Sequence, residues 1–350
     1  MTVIFGWDLG GAHIKLAVLY PHGRLYRVAQ VPCELWKGLD RLESALRDLT
    51  REPARGAVHA LTVTGELVDL FQDRASGVVT IVETFLRVLR VPDAMLFAGS
   101  GFVSAREAAS YWQDVASANW LATAELVARC LPQALVIDVG STTTDIVVVS
   151  DGKVRAQAKD DHGRIAREEL LYTGVVRTPV MAVAARVPFG GEWVSVIAEH
   201  FATTADVYRI TGQLEPAFDQ AATADGRGRS KPESVRRLAR MIGLDLEQAP
   251  ADAWDRLANW LAHAQQQLVR RACDRQLSRG LLNLQAPIVG LGAGCFLAER
   301  VAAELARSYV DFAALAGVAP EQAAAVDVCG PAFAVARLRA MASKAKYPFS

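Results

Sequence analysis

No apolar run in this 350-residue chain approaches the length that spans a bilayer, so no membrane partner is expected. Charge of one sign is missing as well. The 38 Lys and Arg balance 38 Asp and Glu, and no basic run stands out, which argues against a nucleic-acid partner. Cysteine is scarce and scattered. Cys33, Cys130, Cys273, Cys295 and Cys329 form no C-x-x-C, which excludes a zinc ribbon and fits a reducing compartment better than a disulfide framework. The opening MTVIFGWDLGG has no basic leader and no cleavage site, so a cytoplasmic protein is expected. Low-complexity segments are absent too. What remains is about half apolar and about a fifth charged, a globular composition long enough for two domains.

One stretch organises the rest: ALVIDVGSTTTDIVVV, residues 134–149. An apolar strand ends at Asp138, Val139-Gly140-Ser141-Thr142 makes a tight turn, and a second strand starts at Thr143. Such a turn directs backbone N–H groups and hydroxyls to one point and can cradle a phosphate, while Asp138 and Asp145 can hold Mg²⁺ or its waters. An ordinary hairpin would need no ligand. A second copy, IFGWDLGGAHIKLAVL at 4–19, repeats the pattern about 130 residues earlier, with Asp8 at the place of Asp138 and Gly10 at that of Gly140. Two related hairpins imply two related lobes facing each other.

Periodicity supplies the framework. Strands are expected over 3–8, 14–20, 25–30, 59–64 and 94–98, and helices over 39–50, 77–91, 104–110 and 118–130, with Trp120 in the core. Turns are expected at Pro21-His22-Gly23 and Gly99-Ser100-Gly101. After the second hairpin come a third strand over 153–159 and a strand ending in a loop over 173–179. A helix N-terminus at Thr203-Thr204-Ala205-Asp206 follows, then a polar glycine-rich loop over 222–234. Helices over 234–241 and 253–282 come next, the latter read as a surface helix. PIVGLGAG, 287–294, reads as a strand, a glycine turn carrying Gly292 and Gly294, and a helix over 296–309. A last strand ends at Asp327-Val328-Cys329-Gly330-Pro331, before a terminal helix over 332–344 that returns to the first lobe. The expected domains are 1–130, 131–329 with a helical insertion about 205–285, and 330–350.

Several side chains have two readings. Glu66, Asp69 and Asp73 follow a strand's carboxyl end and share one helix face if the helix starts early. Three acids there suit a cation or an amine, although spacing alone favours a solvated helix N-terminus. Arg177, in an apolar setting, serves either a diphosphate or carboxylate or a structural salt bridge. Asp225, Arg227, Arg229 and Lys231 form a lid over an anion or a solvated loop, and composition favours the loop. His13 is a candidate base, though a lone histidine is more often structural.

The paired hairpins resemble the two-lobed α/β fold of the actin-like ATPases, which include sugar kinases and actin. In that fold, Gly292 and Gly294 fall where adenosine is carried. Closer in, DLGGAHIK, TGELVD, ANWLATAEL, LVIDVGSTTTDIV, YTGVVRTPV, HFATTADVYRITG, TADG and GLGAG occur in this order. The series, which covers nearly the whole chain, resembles the hydantoinase/oxoprolinase-related branch of that fold. Within it, the chain is similar to the condensing-enzyme family of methanofuran and methylofuran synthesis, found with one-carbon pathways.

The resemblance implies a transferase. A furanmethyl diphosphate would meet the phenol oxygen of a tyramine- or tyrosine-derived acceptor, diphosphate would leave, and an aryl ether would form. The implied site has Gly10, Gly11, Lys15, His13, Gly140, Ser141, Thr142, Thr143, Arg177, Gly292 and Gly294 on diphosphate or substrate. Asp8 and Asp138 would place Mg²⁺, with Asp145 beside them, and Glu66 joins the catalytic set. One departure is Ala12, where many actin-like kinases carry Thr or Ser, so one hydroxyl contact to phosphate is missing. The alternative is an ATP-dependent hydrolase or small-molecule kinase, and ATP belongs only to that alternative. A non-catalytic actin-like scaffold is a third reading. The phenolic acceptor and the oligomeric state, including a homo-oligomer, stay open.

Overall fold

A computed structural model describes residues 2–20, 23–50, 56–99 and 101–346. Pro21, His22 and Ser100, from the two expected turns, lie outside the described residues. The chain divides into two units. The first holds residues 1–133, 149–164 and 311–350; the second holds 134–148 and 165–310. The expected boundary near 329 therefore falls at 310, because the short helices Phe312–Leu315 and Pro320–Val328 belong to the first unit. The expected last strand at Asp327 to Pro331 is instead the junction of Pro320–Val328 with the terminal helix Gly330–Lys346.

In the first unit β1 (Ile4–Gly10), β2 (His13–Leu19), β3 (Leu25–Pro32), β4 (Val58–Thr64), β5 (Met95–Phe97) and β6 (Phe102–Ser104) form one sheet, ordered β3-β2-β1-β4-β5-β6. β1 runs antiparallel to β2 and parallel to β4, so Asp8 faces Lys15 on one side and Thr62 on the other. Alternate residues of β1 point to opposite faces. Trp7 and Leu9 enter the core made with helices Leu39–Leu49 and Arg74–Leu89. Gly6 and Asp8 share the opposite face, where helix Gly330–Lys346 packs. A Cβ on Gly6 would lie 2.6 Å from the Ala336 Cβ and closer still to the Ala332 carbonyl, so glycine is what lets helix and sheet meet. The expected helix over 104–110 is a single 3-10 turn, Ala105–Glu107. Trp120 is buried as expected, on helix Asn119–Cys130, with the Arg164 guanidinium 3.8 Å over its ring.

The second unit repeats the wiring. β7 (Gln133–Val139) and β8 (Thr144–Ser150) are the central hairpin. Every residue of β7 from Ala134 onward is buried, as an apolar run between two covered faces requires. The expected third strand over 153–159 shrinks to the two-residue β9 (Lys153–Val154). Then come β10 (Leu170–Leu171), the separate ribbon β11 (Arg186–Phe189) and β12 (Glu192–Ser195), β13 (Ile288–Leu291) and β14 (Tyr309–Asp311). The main sheet is ordered β10-β8-β7-β13-β14, with β13 parallel to β7 as β4 is to β1.

Helix Ala251–Leu277 is not the surface helix expected. Trp254, Leu257, Leu261, Val269 and Cys273 along it lie in the main core, and Phe189 stacks on Trp254 at 4.9 Å. The 222–234 segment is tied down rather than open. Buried Arg237 pairs with Asp206 at 2.7 Å and with Asp225 at 3.0 Å, and Lys231 reaches Asp255 at 2.7 Å. Asp225 and Lys231 are thus occupied with structural partners. Among the described residues no helix is long and apolar enough to cross a membrane.

His59, on β4, is buried among Phe5, Trp7 and Phe85, and its Nδ1 accepts from Trp7 Nε1 at 3.1 Å. That bond leaves the proton on Nε2. Burial pushes its pKa down from 6.5 to about 4. Between those values the unfolded chain binds a proton that the folded chain refuses, so stability falls as pH drops through this window. The loss attributable to His59 is about 3 kcal/mol at full extent. Urea unfolding at pH 7 and pH 4.5 should show it, with a flatter pH dependence in His59→Gln. An equally steep dependence in that variant would exclude His59 as the source.

Candidate active site

The first hairpin is built around a neutralised acid. Asp8 is buried at the end of β1. Thr62 and Thr64 of β4 donate to its Oδ1 at 3.3 and 3.2 Å, and Lys15 Nζ stands 3.6 Å from Oδ2. The two threonines were not singled out by the sequence reading. Nothing near Asp8 in the sequence announces partners more than fifty residues away; only the parallel pairing of β1 and β4 brings them there. The turn leaves no room for side chains. A Cβ on Gly10 would lie 2.8 Å from the His13 carbonyl, and one on Gly11 2.8 Å from Val68 Cγ1. His13 is buried at the start of β2, opposite Pro32.

Glu66 follows immediately. Gly65 abuts the turn, since a Cβ there would lie 3.2 Å from the Gly10 carbonyl carbon and the Gly11 nitrogen. The expected helix carrying Glu66, Asp69 and Asp73 on one face does not form. Residues 65–73 are turns, and the helix starts at Arg74 with Asp73 as its N-cap, accepting from Ser76 N–H at 2.8 Å. The three acids therefore have different fates. Asp73 is an exposed cap and Asp69 is exposed, whereas Glu66 is only 1 % exposed. Arg74 and Ser117 both bind Glu66 Oε1, each at 2.8 Å. Among the described residues its Oε2 has no hydrogen-bond partner. Burial pushes this carboxyl above its ordinary pKa, against the lowering pull of Arg74 and Ser117. Ser117 is held at φ 52, a left-handed conformation uncommon for serine.

The second hairpin is built differently. The 173–179 segment is not a strand. It wraps the turn: Val175 N–H donates to Gly140 O at 3.0 Å, and Val176 and Arg177 N–H both donate to Ser141 O, at 3.1 and 2.8 Å. The carbonyls of the turn are thereby used up on one side. No protein acceptor among the described residues takes the N–H groups of Ser141, Thr142 or Thr143. Successive unsatisfied N–H groups in a turn make an anion-binding concavity. Arg177 stands beside it, Nη1 3.3 Å from Thr142 Oγ1, and is half-buried. Its structural role and an anion-facing one are therefore compatible.

The glycine turn after β13 closes the other flank. Leu291 pairs with Asp138 in register, and Gly294 N–H donates to Val139 O at 2.9 Å. Gly292, at φ 89, has no room for a Cβ, which would lie 2.6 Å from Asp138 Oδ1. Thus Asp138, Gly140, Ser141, Thr142, Thr143, Arg177, Gly292 and Gly294 meet in the second unit. Asp145 is also buried, on β8 opposite Leu170. Asp8, Gly10, Gly11, His13, Lys15 and Glu66 belong to the first unit.

Residues 57–329 match the hydantoinase/oxoprolinase family. The chain belongs to that family. A protein of Methanocaldococcus jannaschii named (4-{4-[2-(gamma-L-glutamylamino)ethyl]phenoxymethyl}furan-2-yl)methanamine synthase is 30% identical over 96% of this chain and 97% of its own. A protein of the same name from Methanococcus vannielii is 34% identical over 37% of this chain and 58% of its own. Among solved structures, nucleotide-free acetone carboxylase gives a TM-score of 0.52 at 11% identity, covering 95% of this chain and 70% of that one. The fold of this hydantoinase/oxoprolinase family member is the actin-like ATPase fold.

The residues present can be tested against Mg²⁺. Among the described residues, no three His, Cys, Asp or Glu side chains converge, so a cage made of protein ligands alone is not built here. The donor set suits Mg²⁺ held by one or two carboxylates while the remaining ligands are water and phosphate oxygens.

Gly174 tests the wrapping. A Cβ on it would lie 2.5 Å from the Ser141 carbonyl carbon and 2.6 Å from Gly140 O. Gly174→Ala should cost about 1–3 kcal/mol through overpacking. Gly101→Ala, which meets nothing within 4 Å, is the control and should be nearly neutral. Denaturant midpoints of both variants decide the point, and equal effects would show that the loop does not constrain the turn.

Proposed function

We propose that this protein is a transferase that joins the CH₂ of a furanmethyl diphosphate to the phenol oxygen of a tyramine- or tyrosine-derived acceptor, in methanofuran or methylofuran synthesis. The observation that carries this reading is the 30% identity over 96% of the chain to a synthase named for a phenoxymethyl-furan product. That name contains one bond such a transfer would make, between a phenol oxygen and a furan-bound CH₂.

In this reaction the C–O bond to diphosphate breaks and the C–O bond to the phenol forms. The diphosphate leaves with the electron pair, and the phenol proton goes to a base. In this reading the Ser141, Thr142 and Thr143 N–H groups take oxygens of the leaving group, with Gly140 allowing close approach and Arg177 adding charge. Gly10, Gly11 and Lys15 are assigned the same kind of ligand oxygen. Gly292 and Gly294 shape the flank of the site beside Asp138. Asp8, Asp138 and Asp145 are the carboxylates assigned to Mg²⁺ and its waters. Bound there, Mg²⁺ would supply positive charge to the departing diphosphate. Glu66, with one oxygen unpartnered and its proton affinity raised, is assigned to the phenol proton or to the donor's aminomethyl cation. His13, buried on β2, is retained as a substrate-side residue.

The family match and the glycine turn against Asp138 favour a second reading, an ATP-dependent hydrolase or small-molecule kinase. The two differ in what leaves. Purified protein given the furanmethyl diphosphate and a phenolic acceptor should release one pyrophosphate per ether formed, without ATP. Asp138→Asn should fold and lose at least about a hundredfold in turnover, the usual scale for one charge-assisted contact to a leaving group. No pyrophosphate with either tyrosine or glutamyltyramine would reject the transferase, and substrate-stimulated ADP release would favour the second reading.

A further inference from the structure

The turn at 140–143 owes its shape to the segment that wraps it, and that segment is itself gripped from outside. The pair Thr173 and Gly174 is held by four side chains. Thr144 Oγ1 donates to Thr173 O at 2.7 Å, and Gly174 N–H donates to Thr178 Oγ1 at 2.8 Å. Thr204 Oγ1, from the first turn of helix Thr204–Ile210, donates to Gly174 O at 2.8 Å. The fourth hold comes from the middle of the long helix Ala251–Leu277. Gln265 Nε2 donates to Thr173 Oγ1 at 2.8 Å and to Gly174 O at 2.9 Å.

Gln265 is 1 % exposed, on a helix whose buried face is mostly apolar. A buried amide is costly unless all its polar atoms are bonded. Here its Oε1 accepts from the Tyr208 hydroxyl at 2.7 Å, which fixes which end of the amide faces the loop. Tyr208 is held in turn by the edge of Phe296, ring centroids 5.1 Å apart. An apolar residue of similar volume would take away the partner of the buried Tyr208 hydroxyl and of Thr173 Oγ1 together. The amide is informative because every one of its bonds but one ends on the segment that shapes the turn.

We propose that Gln265 is a positioning residue for diphosphate: it fixes the Thr173 hydroxyl and the Gly174 carbonyl, and through them holds the 140–143 turn with its N–H groups directed at the leaving group. This rests on the reading of that turn as a diphosphate cradle. The line of contact is short. Gly174 lies against the turn, and the next three N–H groups close on the Gly140 and Ser141 carbonyls. Small displacements of such a cradle matter, since an error near 1 Å in a positioned group costs on the order of a hundredfold.

The test uses the full chain with inorganic pyrophosphate and Mg²⁺ in a calorimeter, together with thermal midpoints and steady-state kinetics. Gln265→Met keeps the volume and removes both donors. It should weaken pyrophosphate binding at least tenfold and raise KM for the diphosphate donor, while KM for the phenol stays within twofold. Thr204→Val removes the other side-chain donor on Gly174 O and should shift the same quantities the same way, which decides the matter if Gln265→Met does not fold. Wild-type binding with both folded variants unchanged overturns the inference alone and leaves the diphosphate reading standing. A parallel rise in KM for the phenol also overturns it, because that would be general loosening of the core. Wild-type protein that fails to bind pyrophosphate overturns the underlying reading and this inference with it.

Discussion

The second unit depends on the hydrogen bonds that hold the carbonyls of one tight turn. Val175, Val176 and Arg177 spend their N–H groups on the carbonyls of Gly140 and Ser141. The peptide planes are then oriented, and the N–H groups of Ser141 to Thr143 have no protein acceptor among the described residues. Three further features accompany these bonds. Gly174 must lack a side chain because it lies against the turn, Gly292 must lack one because Asp138 is there, and the Gly174 carbonyl has its own anchors. Successive N–H groups with no protein acceptor are the arrangement that anion-binding turns in general use.

The hairpins were legible because buried strands write themselves as apolar runs, and because a glycine turn between two such runs has few alternatives. The helix N-terminus at Thr203 was legible through Asp206, three residues on, whose carboxylate accepts from Thr203 N–H at 3.1 Å. Glu66 was misplaced because acids three and four apart fit a helix face as well as a turn, and the N-cap at Asp73, not the spacing, decides where the helix begins. Residues 173–179 read as a strand because Val175-Val176 favour extended backbone; here they bend around a turn rather than join a sheet. The junction near Cys329 read as a strand end because its Gly-Pro was taken for a stop. Proline is tolerated in the first turn of a helix, and Pro331 occupies that place in Gly330–Lys346.

What no local pattern could supply were the partners brought from a distance. Thr62 and Thr64 reach Asp8 across a parallel pairing, and Ser117 reaches Glu66 from a left-handed residue on another connection. Gln265 reaches Gly174 from a helix about ninety residues downstream. Read in sequence, Gln265 belongs to the polar run Gln265-Gln266-Gln267, which suggests a solvated face. In the fold only Gln267 of the three is exposed. Polar residues that are buried for the sake of a distant backbone segment look, one by one, like ordinary surface residues.

The two hairpins also differ in charge, and the difference bears on where a cation is needed. Counted from the turn glycine, Asp8 and Lys15 occupy the places that Asp138 and Asp145 occupy in the second copy. In the first unit the cross-strand pair is acid and base, with Nζ and Oδ2 3.6 Å apart, so the hairpin carries its own counter-charge. In the second unit the counterpart of the lysine is another carboxylate, and both acids are buried. The same strand–turn–strand frame thus carries opposite charge at one position, a base in the first copy and an acid in the second. A buried carboxylate is stable only where donors or positive charge meet it. The two copies, alike in backbone wiring, therefore cannot balance their acids in the same way, and the difference is written into a single position of the second strand.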